Sequence, residues 1–479
     1  MTAAPRTTVN HHTILINGHL VPSTTHERID VVNPSTEDAI GSVPAGSVED
    51  VDAAVRAARA ALSGWADLPP AARAHHLTNL SRALSERADE AAGLIVAELG
   101  MPLDATLDVQ VHDAANFLRG YADAITTVPW QETISNSTVL REPVGVVAAI
   151  TPWNYPLYQI TAKAGAALAA GCTVVVKPSE LAPLSSYVLA QAAIDADLPP
   201  GVFNIVMGTG TSVGEALVSH PLVDMVSFTG STAAGRRVAQ LAGAAPKPVS
   251  LELGGKSATV VLDDADLERV IPLAVADCFR NSGQACSAHT RLLVPATHAD
   301  KVAQLAARAA ESTQLGAPED HGDHLGPLVS QAQRDRVRGY IRAGIAEGAR
   351  LVTGGPEQPA ETPLGYYVKP TVFDQVRNDM TMAREEIFGP VLAIIPYQDQ
   401  AHAVRIANDS AYGLSAAVWS TDQHKALNVA RQLDTGEVYV NGGRFNPAAP
   451  FGGAKQSGYG RELGMHGILE FTRLKSVHQ

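Results

Sequence analysis

Cysteine is scarce: Cys172, Cys278 and Cys286 are the only three in 479 residues, and no C-x-x-C pair exists. That count and spacing exclude a disulfide framework and a cysteine-held metal or redox centre, and a reducing compartment fits best. Positive charge is in deficit, with 36 Lys and Arg against 49 Asp and Glu and a net charge of −13. A chain so charged is repelled by phosphate backbones and anionic lipid, which argues against nucleic-acid and membrane partners. Long apolar runs are missing too. Stretches such as Val144 to Ile150 are strand-sized and far short of a membrane span. The polar segment Met1 to His12 has no apolar core of signal-peptide length, so a cytoplasmic location is expected.

What is present is length and apolar content. The chain is 46% hydrophobic and 18% charged, a globular composition. Its 479 residues allow about three domains at roughly 100 to 200 residues each. Ser47-Val48-Glu49-Asp50 reads as a capping box, followed by a helical period at Val51, Val55, Ala58, Leu62 and Trp65. A second long helix is expected through Leu77, Leu84, Ala91 and Ile95, ending at Gly100 with Pro102 beyond. From residue 144 to 255 short β-rich runs alternate with Ala- and Leu-rich helices. The runs are Val144 to Ile150, Thr173 to Lys177, Phe203 to Val206, Met225 to Phe228 and Val249 to Leu253. Strands apolar throughout and joined by helices indicate a parallel sheet covered on both faces, with ligands at its carboxyl ends. A second α/β region is expected from about Asp263 to Gly453.

Unusual residues gather at those carboxyl ends: Thr151-Pro152-Trp153-Asn154, Lys177-Pro178-Ser179-Glu180, Gly208-Thr209-Gly210 and Thr229-Gly230-Ser231-Thr232. Gly283-Gln284-Ala285-Cys286 offers a thiol beside a backbone N–H, which suits a covalent nucleophile. On the tetrapeptide alone, a buried thiol acting as a small hydrophobe is the commoner arrangement. Glu252 lies in a β-run before Gly254-Gly255, where a carboxylate is either salt-bridged or a general base tuned by burial. Asn154 is flanked by Pro152 and Pro156, so its amide is a rigid oxyanion donor or part of an ordinary turn. Gly230-Ser231-Thr232-x-x-Gly235 follows a strand and opens a helix that could hold a pyrophosphate, although it is not G-x-G-x-x-G. Lys177 and Glu180 are either ribose contacts or a solvated pair.

Taken together, these motifs resemble the aldehyde dehydrogenase superfamily along essentially the whole chain. The resemblance also takes in Glu385-Glu386-Ile387-Phe388-Gly389-Pro390, Asn408-Asp409-x-x-Tyr412-Gly413-Leu414 and Pro450-Phe451-Gly452-Gly453, in the family's order. It implies an α/β fold: a Rossmann-like parallel-sheet cofactor domain interleaved with a catalytic α/β domain and a small β oligomerisation element. The expected division is 1–121 and 144–254 for the NAD-binding domain and 255–456 for the catalytic domain. Residues 122–143 and 457–479 would form the bridging element of a homodimer or homotetramer.

By the same resemblance the enzyme is an NAD(P)-dependent aldehyde dehydrogenase of the non-acylating branch. Cys286 attacks the aldehyde, Asn154 and the Cys286 N–H hold the oxyanion, and Glu252 activates water to hydrolyse the thioester. Lys163 and Glu462 match a proton path for Glu252, or else a buried structural ion pair. Thr151, Trp153, Lys177, Ser179, Glu180, Gly210, Gly230, Ser231, Glu386 and Phe388 match cofactor contacts. Glu180 favours NAD over NADP, and no metal is implied. Tyr155, Tyr158 and Phe451 would line an aldehyde tunnel, favouring apolar aliphatic or aromatic substrates. The alternatives are a semialdehyde dehydrogenase of the same mechanism, with Arg444 as a conceivable carboxylate contact, or a cysteine-dependent ester hydrolase. His289 is expected only to pack as a neutral ring.

Overall fold

A computed structural model describes residues 9–479. The first eight residues, part of the polar N-terminal segment considered above, lie outside the described residues. Two large sheets organise the chain. The first has eight strands, and its centre is five parallel strands in the order Val249–Glu252, Met225–Thr229, Val146–Ile150, Thr173–Lys177 and Phe203–Ile205. Antiparallel strands close both flanks: Gly458–Tyr459 on one side, Thr13–Ile16 and His19–Pro22 on the other. Val, Ile and Ala dominate the central strands because helices cover both faces.

The second sheet has seven strands, ordered Arg350–Thr353, Thr371–Asp374, Val391–Tyr397, Arg291–Pro295, Ala258–Val261, Ser415–Trp419 and Glu437–Val440. All its pairings are parallel except the first. The second α/β region therefore begins earlier than the expected Asp263. Ala258–Val261 sits at its centre, although the polar residues just before it conceal it in the sequence.

A third, three-stranded antiparallel sheet joins Gln131–Ile134, Ser137–Pro143 and the C-terminal Thr472–His478. Within the segments expected to bridge, residues before Val128 finish a helix and a 3₁₀ turn. Gly458–Tyr459 instead joins the first sheet.

Two helix expectations need amendment. Ser47 does cap Val48–Ala66, accepting from the Asp50 N–H at 3.1 Å. The Asp50 carboxylate, however, turns to Ser23 and the Thr24 N–H, so the box is only half closed. The single long helix is two, Pro70–Ser85 and Ala88–Leu99, broken at Glu86 and Arg87. Periodicity runs through the break because both helices bury the same face.

The helix Pro156–Ala170 is buried on almost every side. Its Ala and Gly content permits this: Gly165 lies against the Tyr121 ring, where an added Cβ would stand 2.7 Å from a ring carbon. Glu98 is wholly buried and accepts from the N–H groups of Leu184 and Ser185 at 2.6 and 3.0 Å, at the start of the helix Ser185–Asp195. Burial still pushes its carboxyl up to about 7, against those hydrogen bonds.

Gly100 ends its helix at φ 82°, and a Cβ there would stand 2.6 Å from Pro327 Cγ and 2.9 Å from Pro34 Cγ. Gly100→Ala should therefore destabilise the fold by more than about 1 kcal/mol. A thermal midpoint equal to that of the parent would show the strain to be absent.

Candidate active site

The nucleophile turn is built from strain. After the helix Leu267–Phe279 the chain enters three consecutive left-handed residues, Asn281, Ser282 and Gly283, at φ 50°, 56° and 74°. Such a run is costly for non-glycine residues and persists only when its surroundings fix it. Asn281 Nδ2 donates to the carbonyls of Asn154 and Gln284, and Ser282 Oγ to that of Gly326. Gln284 Oε1 accepts from the Val329 N–H. Gly283 packs so tightly on Gly389 that a Cβ would come within 2.1 Å of its carbonyl.

Cys286 follows, half-buried, in a turn closed by the Ala288 N–H and the Ala285 carbonyl at 3.1 Å. That hydrogen bond leaves the Cys286 N–H out of the turn. Burial first, then the carboxylates of Glu386, Glu252 and Glu437, push the thiol up to about 12, while Arg280 opposes them. The thiol is therefore protonated at neutral pH and needs a base before it can attack.

Asn154 and Glu252 reach this turn from the first sheet. Asn154 Nδ2 donates to the Gln284 carbonyl at 3.0 Å, which turns the amide toward the nucleophile loop. Gln110 Nε2 grips the Asn154 carbonyl at 3.1 Å from the π-helical turn Thr106–His112, a positioning role that the sequence reading missed. Glu252 ends its strand, buried, with neither carboxyl oxygen hydrogen-bonded among the described residues. Burial and the nearby Glu462 hold it well above the usual carboxylate range, against Lys163 and Arg461. Lys163 Nζ donates to Glu462 Oε1 in a fully buried pair. Three residues beyond Glu252, a Cβ on Gly255 would stand 2.6 Å from the Cys286 carbonyl, so both sides of the site meet there.

The tunnel is a cavity of about 450 Å³ lined by Cys286, Tyr155, Tyr158 and Phe451. Phe117 and Tyr158 pack edge to face at 4.5 Å. Sequence reading missed its polar wall, where Arg280 and Tyr439 stand with His289. His289 is no bare packing ring: Nδ1 pairs with Asp277 at 2.6 Å and Nε2 with Ser415 Oγ at 3.0 Å. Arg444 is exposed and does not line the cavity, whereas its neighbours Gly443 and Phe445 do.

The expected cofactor residues gather along the carboxyl ends of the first sheet. Register sets Ile150 beside Lys177 and Phe228, and Thr229 beside Glu252. Lys177 is buried and donates to the carbonyls of Pro178 and Gly208, each at 2.7 Å, and to Glu180 at 3.3 Å. Ser179 Oγ accepts from the Leu181 N–H at 3.3 Å. Gly210 opens a π-helical turn capped by Thr209. Ser231 caps the helix Thr232–Gly243, and Gly230 leaves no room for a Cβ against the Phe228 ring. The hydroxyls of Thr151 and Thr229 are buried and unpaired among the described residues.

Across the cleft, Glu386 Oε1 accepts from the Gly255 N–H at 3.1 Å, and burial pushes its carboxyl up to about 7. Phe388, at φ 63°, meets Trp153 edge to face at 5.3 Å. A helix N-terminus, unpaired hydroxyls and a buried carboxyl along one edge suit a dinucleotide.

Fold and cleft thus define an oxidoreductase-like α/β protein with a cysteine nucleophile between a cofactor groove and an apolar tunnel. The profile described as the aldehyde dehydrogenase family matches residues 20–477, and the chain belongs to that family. A 3-succinoylsemialdehyde-pyridine dehydrogenase from a Pseudomonas species is 46% identical over 463 residues, 96% of this chain and 97% of its own. A geranial dehydrogenase from Castellaniella defragrans is 45% identical over 98% of this chain and 99% of its own. A cysteine-to-alanine variant of an aldehyde dehydrogenase from Pseudomonas syringae, solved with NAD+ and octanal, superposes with a TM-score of 0.97. It is 46% identical and covers 99% of this chain and 97% of its own.

Gly283→Ala tests the turn. Because a shift of about 1 Å at a reacting group costs roughly a hundredfold, the variant should lose about that much kcat while its circular dichroism is unchanged. Wild-type kcat in a folded variant would mean the turn does not set the position of Cys286.

Proposed function

We propose that this enzyme oxidises apolar aliphatic or aromatic aldehydes to carboxylic acids with NAD. The observation that carries the reading is the junction where Cys286, Asn154 and Glu252 converge between the apolar tunnel and the dinucleotide-suited strand ends. Cys286 Sγ attacks the aldehyde carbon. The oxyanion that forms is held by Asn154 Nδ2 and the Cys286 N–H, each such donor typically worth ~3 kcal/mol. Bound NAD supplies the hydride acceptor that takes the sulfur-bound carbon to the thioester level. Glu252 then takes a proton from the hydrolysing water, and the buried Lys163–Glu462 pair passes it on.

For the cofactor, Ser231 and Gly230 at the helix start receive the pyrophosphate, with Trp153 and Gly210 flanking it. Thr151, Lys177, Ser179 and Glu180 hold the adenosine ribose. Glu386 holds the nicotinamide ribose, and Phe388 flanks the ring. The Glu180 carboxylate disfavours a 2′-phosphate, hence NAD over NADP. Of the expected 1–121, the described residues from 9 onward form the cofactor domain with 144–254, and 255–456 form the catalytic domain.

A second reading, an aldehyde with an acceptor group at its far end, is favoured by Arg280 rather than Arg444. Among the described residues the Arg280 guanidinium hydrogen-bonds only the Ser287 hydroxyl, at 3.1 Å, while Asp277 stands 3.9 Å away and is already held by His289. The 3-succinoylsemialdehyde-pyridine dehydrogenase is a relative whose named substrate has such a group. The ester hydrolase is disfavoured because it has no use for the dinucleotide edge.

We propose a homodimer or homotetramer as well. Thr472–His478 is an edge strand with Leu474 and Val477 exposed, an edge that a second copy would cover. Among the described residues no helix is long and apolar enough to cross a membrane, and a cytoplasmic location is proposed from the scarcity of cysteine.

The test is an aldehyde panel followed at the NADH absorbance. Octanal and aromatic aldehydes should turn over, and Cys286→Ala should abolish turnover while still quenching its fluorescence on binding NAD. No NADH from any aldehyde would sink the reading. Glu252→Gln should accumulate a thioester visible by mass spectrometry. Because the Glu252 carboxyl is raised, its base form grows as pH rises, so wild-type deacylation should climb with pH. The Gln variant should flatten that climb, and an unchanged profile would remove Glu252 from the role.

A further inference from the structure

At the amino ends of three neighbouring strands of the second sheet lies an enclosed cavity of about 10 Å³, room for one water-sized particle. The strands are Ala258–Val261, Arg291–Pro295 and Ser415–Trp419, with Ala258 in register with both Arg291 and Ala416. The cavity shares no lining residue with the tunnel. Its polar lining includes Lys256, Ser257, Arg291 and Ser415.

Two cations border this cavity. Lys256 is 2% exposed, and its Nζ has no hydrogen-bond partner among the described residues. The neighbouring Ser257 Oγ is likewise buried and unpaired. Arg291, also 2% exposed, donates to the carbonyls of Lys256, Ile406 and Ala407, each at 2.9 Å, and to Asn378 Oδ1 at 3.0 Å. All four acceptors are neutral. Among the described residues lining the cavity there is no Asp or Glu. Burial first and Arg291 second push the Lys256 ammonium down to about 7, against Cys278 and Glu386. A buried charge is costly unless it is paired and hydrogen-bonded. The lining lacks a counter-charge, and its unused side-chain groups are donors: the three N–H of the ammonium and the Ser257 O–H.

We infer that this cavity binds a small monovalent anion, a halide such as chloride, on Lys256 Nζ and Ser257 Oγ. A halide accepts hydrogen bonds from every side, donates none and is compact enough for the room available. A metal or ammonium ion is repelled by the same two cations, and an oxyanion such as sulfate is too large. Lys256 follows Gly255, whose N–H holds Glu386 Oε1 and whose Cα packs against the Cys286 carbonyl. The anion therefore anchors the segment on which both sides of the active site meet. Its part is structural, and it takes no share in the chemistry.

The test is thermal unfolding of the full chain at constant ionic strength, with sodium chloride exchanged for sodium methanesulfonate, whose anion is too bulky for the cavity. A ligand that binds only the native state raises the midpoint as its concentration grows. A hundredfold rise in chloride should lift the midpoint by about 2 °C, and bromide should do the same. Lys256→Met, which replaces the buried cation by an apolar chain of similar length, should fold and lose this dependence. Should that variant fail to fold, the parent decides: crystals grown in bromide should show an anomalous difference peak within hydrogen-bond reach of Lys256 Nζ. A parent midpoint indifferent to halide, a Met variant that still follows it, or bromide crystals without a peak at Lys256 overturns the assignment.

Discussion

One peptide carbonyl, that of Asn154, holds the site together. It accepts from Gln110 and from Asn281, each at 3.1 Å, while the Asn154 amide reaches back to the Gln284 carbonyl at 3.0 Å. The loop after a strand of the first sheet is thereby tied to the turn that carries the thiol, across an interface between two sheets. Buried hydrogen bonds of this kind have no water to replace them, so loosening one member loosens the rest. The left-handed run at Asn281–Gly283 is tolerated because these bonds, and the contact with Gly389, leave the turn no other shape.

Desolvation is the second theme. The same exclusion of water that makes a helix N-terminus and an amide useful to an anion pushes the thiol up to about 12 and holds the Glu252 carboxyl well above its usual range. Glu386 and Glu252, the carboxylates that act most on the thiol, are themselves raised by the same burial.

The sequence revealed the chemistry more readily than the scaffold. Asn154 and Glu252 stand out at or just beyond the ends of apolar strands and Cys286 just after a glycine, whereas Glu386 is legible only through the family resemblance. Gln110 does not stand out, since a buried glutamine in a helical stretch looks like any exposed one until its partner is seen. Arg280 and Tyr439 were hidden for a related reason. Their importance comes from which face of a turn or strand meets the tunnel, and short runs do not disclose their facing. The central strand Ala258–Val261 follows a polar Lys256-Ser257, and the helix break at Glu86 and Arg87 leaves the apolar period intact. Interactions remote in sequence decided each of these cases.

Glu98, Glu386 and Glu437 all hold their protons to about 7, against an ordinary 4.5. In the unfolded chain they would ionise at the lower value, so the native state binds more protons between the two. Their favourable contribution is complete below about 4.5 and is lost as the medium becomes less acid, up to about 7. Glu252, held well above the usual carboxylate range, likewise gains its charge only as the pH rises. The rise in pH that frees Glu252, the proposed base, thus draws down the contribution of these three acids, while ion-paired carboxylates such as Asp277 keep theirs.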